Sequence, residues 1–233
     1  MAAYFTWQQT QRSSDLAIEQ VLACTFGDLN RNKTDEDCDP TKEIKIVRGR
    51  QDYPFGAHLD LVFRNSGEVS ALIKRVTLQV LRVTPLSICA KVGGEVESSA
   101  TYDFAIKQPA PPAYDLSTTT IHSVDDKLDR ITLLIQMSLN GGDPTLALVK
   151  VRLDTSEGPL TTGPVVIAAN GPVYSLLRPT STGWDVPADK GIDCVRQNAT
   201  TINEFLGEAD EEESNDQVLL LREEFDKFLS KAG

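Results

Sequence analysis

The sequence predicts a mainly β protein with the architecture of a β-sandwich and with one C-terminal helix. Two stretches, Leu59 to Val80 and Ile131 to Leu153, contain strands in which apolar and polar residues alternate with a period of two. Such a period gives each strand one apolar face, which a second sheet has to cover. Short apolar runs bounded by proline and glycine, such as Val165 to Ala169, are the third observation. Together they favour roughly eight to ten strands.

The first alternating stretch predicts a β-hairpin. Apolar residues stand at every second position on both sides of a polar segment, at Leu59, Leu61 and Phe63 before it and at Val76, Leu78 and Val80 after it. The polar segment Asn65-Ser66-Gly67-Glu68 contains residues that favour turns. This strand-turn-strand pattern is similar to that of many immunoglobulin-like sandwiches, and the number of strands suits a jelly roll equally well. The resemblance concerns architecture and implies no activity.

The second alternating stretch predicts another hairpin, with a clearer turn. Its first strand carries apolar residues at Ile131, Leu133, Ile135 and Met137. Asn140-Gly141-Gly142-Asp143 follows and supplies residues that tolerate a positive φ, and the second strand then runs from Leu146 to Leu153.

The chain divides into three predicted segments. Residues 41–180 hold the strands of the sandwich, residues 1–40 precede them as an N-terminal arm, and residues 181–233 follow as a C-terminal segment. In the arm, Ser14 followed by apolar residues up to Leu22 predicts a short capped helix, and an edge strand over the same residues is the alternative. The rest of the arm is polar and charged, which predicts a loop.

That loop contains the one pattern in the sequence that resembles a metal site. Asp28, Asn30, Asn32 and Asp39 place side-chain oxygens in the order of an EF-hand calcium loop. Lys33, however, stands where the sharp turn of such a loop needs glycine, and Asp39 stands where a longer glutamate normally closes the coordination shell. We therefore expect a charged loop, and no metal or other cofactor.

The C-terminal segment is predicted to contain an acidic tether and an amphipathic helix. Residues 204–216 hold seven acidic side chains and no basic one, and a run of like charges repels itself. Ser214, three residues before Gln217, predicts a capping box, and an apolar stripe with helical spacing follows it. The stripe consists of Val218, Leu221, Phe225 and Phe228.

The apolar stripe is the predicted partner-binding surface. An amphipathic helix can dock into a groove of another protein, and the acidic tether would give it reach. The alternative is that the helix folds back and covers its own sandwich. Trp184, in a loop-like setting, is the second predicted contact residue, and packing over one end of the sandwich is the alternative for it.

Charge and composition indicate which kinds of partner molecule this chain is not expected to bind. The chain carries 34 acidic and 23 basic residues, which gives a net charge of −11 and disfavours nucleic acid or an anionic membrane as the main partner. The charge is unevenly distributed, because residues 41–92 hold nine basic and four acidic side chains. No stretch contains the roughly 20 apolar residues that a membrane helix needs.

The cysteines and the one glycosylation pattern bear on the compartment. Cys24, Cys38, Cys89 and Cys194 occur singly, too sparsely for a disulfide scaffold, so we expect reduced thiols and a cytoplasmic protein. Asn198-Ala199-Thr200 matches the acceptor sequence for N-glycosylation, which we interpret as a chance match.

The residues that serve as catalytic groups are few. His58 and His122 are the only histidines, and no nucleotide-binding or nucleophile motif is present. Asp125, Asp126 and Asp129 are the one cluster of carboxylates that suggests hydrolase chemistry.

We therefore predict a non-catalytic protein–protein interaction subunit of a larger assembly. The sandwich would be a rigid platform, and the chain ends would contact other protein chains. A self-assembling structural or coat-type subunit is the first alternative, and a hydrolase that uses aspartate carboxylates is the second.

Overall fold

The structure, a computed structural model, describes residues 14–25, 57–90, 114–118, 121–124, 128–135, 144–169, 176–181, 183–209 and 213–232. Within these ranges the chain forms antiparallel sheets and two helices. The prediction of a mainly β fold is therefore confirmed.

A small antiparallel sheet has the order β1-β2-β6. Its strands are β1 (Leu16–Thr25), β2 (Ala57–Asn65) and β6 (Leu128–Ile135). Strand β1 pairs along its whole length with β2, from Leu16 opposite Asn65 to Thr25 opposite Ala57. The segment after Ser14 is thus a strand, as in the second of the two alternatives, and the predicted short helix is wrong. Part of the predicted N-terminal arm belongs to the β core.

The large antiparallel sheet is built around two long strands, β3 (Ala71–Pro85) and β7 (Thr145–Thr155), which pair with each other. Each flank of this central pair is formed by two short strands instead of one long strand. These are β4 (Tyr114–Thr118) and β5 (His122–Val124) beside β3, and β8 (Pro159–Thr161) and β9 (Val165–Ala169) beside β7.

The C-terminal segment contains a two-stranded ribbon and two helices. The ribbon pairs β10 (Arg178–Thr180) with β11 (Gly183–Asp185), and it is followed by α1 (Ile192–Leu206) and α2 (Asp216–Ala232). Helix α2 is the predicted helix. Helix α1 was not predicted, and its last turn occupies the beginning of the predicted acidic tether. Gly191 precedes α1 with a φ of 98°, a conformation that L side chains rarely adopt.

Both predicted hairpins are wrong, although their strands are present. Strands β2 and β3 follow one another in the chain, but β2 pairs with β1 and β6 while β3 pairs with β4, β5 and β7. In the same way β6 lies in the small sheet and β7 in the large sheet. Each alternating stretch therefore crosses from one sheet to the other. A strand with one apolar face satisfies either arrangement, because the second strand can lie beside it or across the core from it.

The two sheets share one hydrophobic core. The small sheet contributes Leu59, Leu61 and Phe63, all fully buried, and the large sheet contributes alternate residues of β3, β7 and β9 such as Ile73, Val149 and Ile167. The opposite face of β7 and β9 forms a second core with the helices, which includes Leu146, Leu148, Val166 and Ala168. Strand β9 and residues 146–149 of β7 are thus apolar on both faces, which explains their continuous apolar sequence.

One buried side chain fixes the crossing between β2 and β3. Asn65 is 5% exposed, and its amide nitrogen donates to the carbonyl oxygens of Val69 at 2.9 Å and Val124 at 3.1 Å. Its amide oxygen accepts from the backbone N–H of Gly67 at 3.1 Å and from that of Asp15 at 3.2 Å. The bonds to Val69 and Gly67 stay within the turn, and those to Asp15 and Val124 reach other segments of the chain. The Asn65 side chain therefore joins the start of β1, the turn and β5.

Candidate functional site

The predicted docking stripe lies inside the protein. Val218 and Leu221 are 0% exposed and Phe225 is 1% exposed, and all three belong to the second core, where Phe228 packs as a partly buried neighbour. Helix α2 contacts α1, β1 and β9. The structure therefore shows the fold-back alternative. The partner-binding role predicted for the stripe is corrected, because a side chain in the core cannot contact a partner while the helix is in place.

Two polar residues hold the beginning of α2 on the sheets. Asn215 is 1% exposed, and its side-chain oxygen accepts from the backbone N–H of Gln217 at 3.0 Å, which makes Asn215 the cap of the helix. Its side-chain nitrogen donates to the carbonyl oxygen of Ala23 in β1 at 3.3 Å. Its backbone N–H donates to the carbonyl oxygen of Val166 in β9 at 3.0 Å. Asn215 thus links one strand of each sheet to the helix.

Ser214 was predicted to cap α2, and it has another role. Its hydroxyl oxygen accepts from the backbone N–H of Val166 at 3.3 Å. Together with the bond from Asn215, both backbone polar groups of Val166 are then paired with the segment before α2. This segment covers part of the edge of β9.

Trp184 also packs against this protein. It lies in β11, and its partly buried side chain contacts the second core. This is the packing alternative from the sequence. A contact with a partner at Trp184 stays a prediction.

The predicted metal and carboxylate sites are only partly within the described residues. Asp28, Asn30, Asn32, Asp39, Asp125 and Asp126 lie outside the described ranges, and so does the side chain of His58. In the part of the chain that the structure describes, no group of three metal-ligating side chains is present. The calcium pattern and the hydrolase alternative therefore stay predictions.

His122 and Asp129 form a pair that joins the two sheets. The Nε2 atom of His122 in β5 lies 2.8 Å from the Oδ2 atom of Asp129 in β6, and both side chains are partly exposed. A carboxylate at this distance orients an imidazole ring. Because β5 belongs to the large sheet and β6 to the small one, the pair also ties the sheets together at this end.

A disulfide corrects the prediction of reduced cysteines. Cys89, in the segment after β3, is bonded to Cys194 in the first turn of α1, and their Cα atoms are 5.7 Å apart. The two residues are 105 positions apart in the sequence. Spacing alone gave no signal of this bond, because neither cysteine belongs to a close pair.

Asn198, the asparagine of the apparent glycosylation acceptor, also holds α1 to the segment after β3. Asn198 is 2% exposed, its amide nitrogen donates to the carbonyl oxygen of Ser87 at 2.8 Å, and its amide oxygen accepts from the Ser87 N–H at 2.9 Å. Cys194 and Asn198 are one helical turn apart, and Ser87 and Cys89 are two residues apart, so the two contacts lie side by side. In this fold the Asn198 amide is not accessible to a modifying enzyme.

A third contact holds the far end of α1. The guanidinium of Arg82, near the end of β3, bonds the carboxylate of Glu208 at 3.1 Å and lies over the ring of Phe205. Two of its nitrogens, Nε and Nη2, are buried without a hydrogen-bond partner. Residues 82–89 thus run antiparallel along α1, and we call the contacts of Arg82, Ser87 and Cys89 with this helix and Glu208 the α1 seam.

The exposed apolar side chains of the described residues are concentrated near the beginning of β3, away from the α1 seam at its end. Four of the five large ones are Val69, Leu72, Ile121 and Leu128, which we call the Ile121 patch. Ile121 is the most exposed at 68%, and Leu128 follows at 56%. Sequence analysis missed this surface, because single apolar residues next to turns and strand ends carry no periodic signal.

The contacts around the Ile121 patch bring its members together. His122 and Asp129, the bonded pair, are the direct neighbours of Ile121 and Leu128 in the chain. Leu72 lies opposite Ser123 in the pairing of β3 with β5, two residues from Ile121. The carbonyl of Val69 shares the amide nitrogen of Asn65 with the carbonyl of Val124, at the end of β5. The four residues therefore lie around one edge of the molecule, with Leu72 on the outer face of the large sheet and Leu128, beside Arg64, on the outer face of the small sheet.

One lysine of α2 has a shifted pKa. Hydrogen bonds to Glu223 and then to Glu224 raise the pKa of Lys227, which is exposed on the outer face of the helix. Glu223 and Lys227 stand four residues apart on the helix and form an ion pair. It contributes to the solvated face of α2.

No family model, curated protein or solved structure matches this chain. In the described ranges, neither helix is both long and apolar enough to span a membrane.

Proposed function

We propose that this chain is a non-catalytic protein–protein interaction subunit, and that the Ile121 patch is where it contacts another protein. The platform would be a β-sandwich of immunoglobulin-like or jelly-roll type, which the shared core of the two sheets supports. The observation that carries the proposal is the exposure of Ile121, the most exposed large apolar side chain of the described residues, two positions before Ser123, the strand partner of exposed Leu72. Contiguous exposed apolar surface on a soluble protein commonly marks a site of interaction.

The charges beside the patch favour a partner of a different sequence. Lys74 and Arg75 follow Leu72 in β3, and both are exposed. A symmetric contact between two copies through this patch would bring the same basic side chains towards each other, which costs free energy. A partner with an apolar centre and acidic side chains around it would complement both features. The self-assembling subunit is therefore the alternative, and the chain ends are no longer the favoured contact.

The proposal is tested by identifying the partner, producing it separately and measuring its binding to this chain. The full chain is purified from its own source, the proteins that accompany it are identified by mass spectrometry, and each is produced separately. Binding is then measured by calorimetry with the wild type, with Ile121→Asp and with Leu81→Asp. Leu81 is the matched control, because it is the fifth exposed apolar side chain and lies on the same strand as Leu72 but outside the patch.

The expected result is that Ile121→Asp weakens binding and Leu81→Asp does not. Light scattering on the chain alone separates the alternative. A dimer or larger assembly that Ile121→Asp dissociates would show that the patch binds a second copy, and it would overturn the proposal of a different partner.

The cytoplasmic location predicted from the sequence stays a prediction, and the main expectation behind it is wrong. It depended on reduced cysteines, whereas Cys89 and Cys194 are bonded.

A further inference from the structure

The α1 seam combines a covalent bond with buried polar contacts, and each contact depends on the position of α1. The segment from Arg82 to Cys89 meets the helix at three levels, near its last turn, its middle and its first turn. The Asn198 amide bonds both backbone polar groups of Ser87 and also contacts the Cys89 sulfur, so the segment after β3 satisfies this buried side chain.

We infer that Cys89 and Cys194 are oxidised to a disulfide as the chain matures, and that this protein works in a compartment that supplies a disulfide-donating oxidant. In the step, the two thiols lose their protons and together two electrons, and the new bond joins their sulfurs. The oxidant's own disulfide accepts both electrons and both protons and leaves as a dithiol. Structural disulfides are rare in compartments that keep thiols reduced and form in oxidising ones.

The surroundings identify the bond as structural. Cys89 is 3% exposed and Cys194 is partly buried against the second core, so a thiolate from solvent has little access to the Cys89 sulfur. The amide of Asn198 lies 3.6 Å from the same sulfur, within the buried part of the seam. The disulfide therefore fixes α1, and through α1 the second core, onto the large sheet.

The redox state is read directly by peptide mapping. The full chain is purified from its own source with free thiols alkylated at lysis, then denatured without reductant and digested with trypsin. Cleavage after basic residues places Cys89 in the peptide of residues 83–91 and Cys194 in that of residues 191–196. The expected product is these two peptides joined. Their recovery as separate alkylated peptides would overturn the inference.

The structural role is read by hydrogen exchange of α1. We expect amides of α1 to exchange at least about ten-fold faster in Cys194→Ser than in the wild type, because the helix opens locally when the bond is absent. Ser87→Ala is the matched control, since Asn198 bonds the backbone of Ser87 and not its hydroxyl.

If Cys194→Ser does not fold, the wild type treated with a dithiol gives the same comparison. Equal exchange in the oxidised and reduced chains would show that the bond does not hold the helix, and would contradict the inferred role.

Discussion

The guanidinium carbon of Arg82 lies 3.9 Å from the centre of the Phe205 ring, so a cation in β3 meets an aromatic face in α1. Phe205 is 1% exposed, and Nε and Nη2 of Arg82 are buried without hydrogen-bond partners. The electron-rich face of the ring and the carboxylate of Glu208 are then the groups that offset the desolvation of the charge.

This contact predicts coupling between the two side chains. Arg82→Met, Phe205→Leu and the double variant form a cycle, and we expect a coupling of about 0.5–2 kcal/mol from urea unfolding. Phe225→Leu is the control partner, because Phe225 is equally buried in the same core but lies in α2. Its cycle with Arg82→Met should be additive. Additive values in both cycles would contradict a specific contact of the cation with Phe205.

The fold-back of α2 predicts a large loss of stability when its apolar stripe is shortened. Phe225→Ala should lower the free energy of unfolding by about 3–5 kcal/mol, because it removes a core side chain and leaves a cavity. For a chain of this size that corresponds to a melting temperature lower by roughly 6–20 °C. Asp226→Ala, on the exposed face of the same helix, is the control. Equal melting temperatures for the two variants would mean that the stripe is not in the core.

Asn215 predicts a smaller but measurable effect. Asn215→Ala removes the cap of α2 and the bond to Ala23, so we expect a loss of about 1–3 kcal/mol. Asn203→Ala is the matched substitution, since Asn203 is exposed in the interior of α1 and alanine favours helix there. A result in which Asn203→Ala destabilises more than Asn215→Ala would refute the role of Asn215 as the link between sheets and helix.

The pKa of Lys227 predicts a small pH dependence. Because Glu223 and Glu224 raise it, the stabilisation is fully present below the pKa of an unfolded lysine, about 10.4, and is lost as the pH rises through the higher folded value. Solvent screens this exposed group, so we expect the effect in an NMR titration rather than in the melting temperature. Glu223→Gln should lower the pKa of Lys227. An unchanged pKa in that variant would contradict the assigned cause.

The positions of strands were predictable from the sequence, and their pairing was not. Alternation at Leu59, Leu61 and Phe63 shows that one face is buried, but the same alternation results whether the next strand lies beside β2 or across the core. The pairing of the strands is determined by long-range contacts, such as that of Asn65 with Val124, 59 residues away in the chain. Turn residues near Asn65 are compatible with both outcomes.

Helix α1 carried a signal that sequence reasoning missed. Its buried residues repeat at helical spacing, at Val195, Asn198, Ala199, Ile202, Phe205 and Leu206. The weak helix formers Asn198, Thr200 and Thr201 obscure the pattern. Asn198 is the polar residue of this buried face, and its hydrogen bonds to the backbone of Ser87 explain why it can be buried there. The disulfide is likewise a tertiary fact, because Cys89 and Cys194 are far apart in the chain.

The Ile121 patch could not be predicted because it is defined by exposure. Leu72 continues the polar face of β3, and Ile121 and Leu128 stand next to the hydrogen-bonded residues His122 and Asp129. Only the pairing of β5 with β3 and the bond between His122 and Asp129 bring these residues to one edge of the molecule.

Affinity for the identified partner, measured with patch and control variants of the full chain, tests the central claim most directly. We expect Ile121→Asp to weaken binding at least about ten-fold, which corresponds to about 1.4 kcal/mol, because a carboxylate would be buried in an apolar contact. Leu81→Asp should bind within about two-fold of the wild type, a difference that falls among the near-neutral changes expected outside an interface. Equal affinities for Ile121→Asp and the wild type, with both proteins folded, would show that the partner binds elsewhere and would contradict the account.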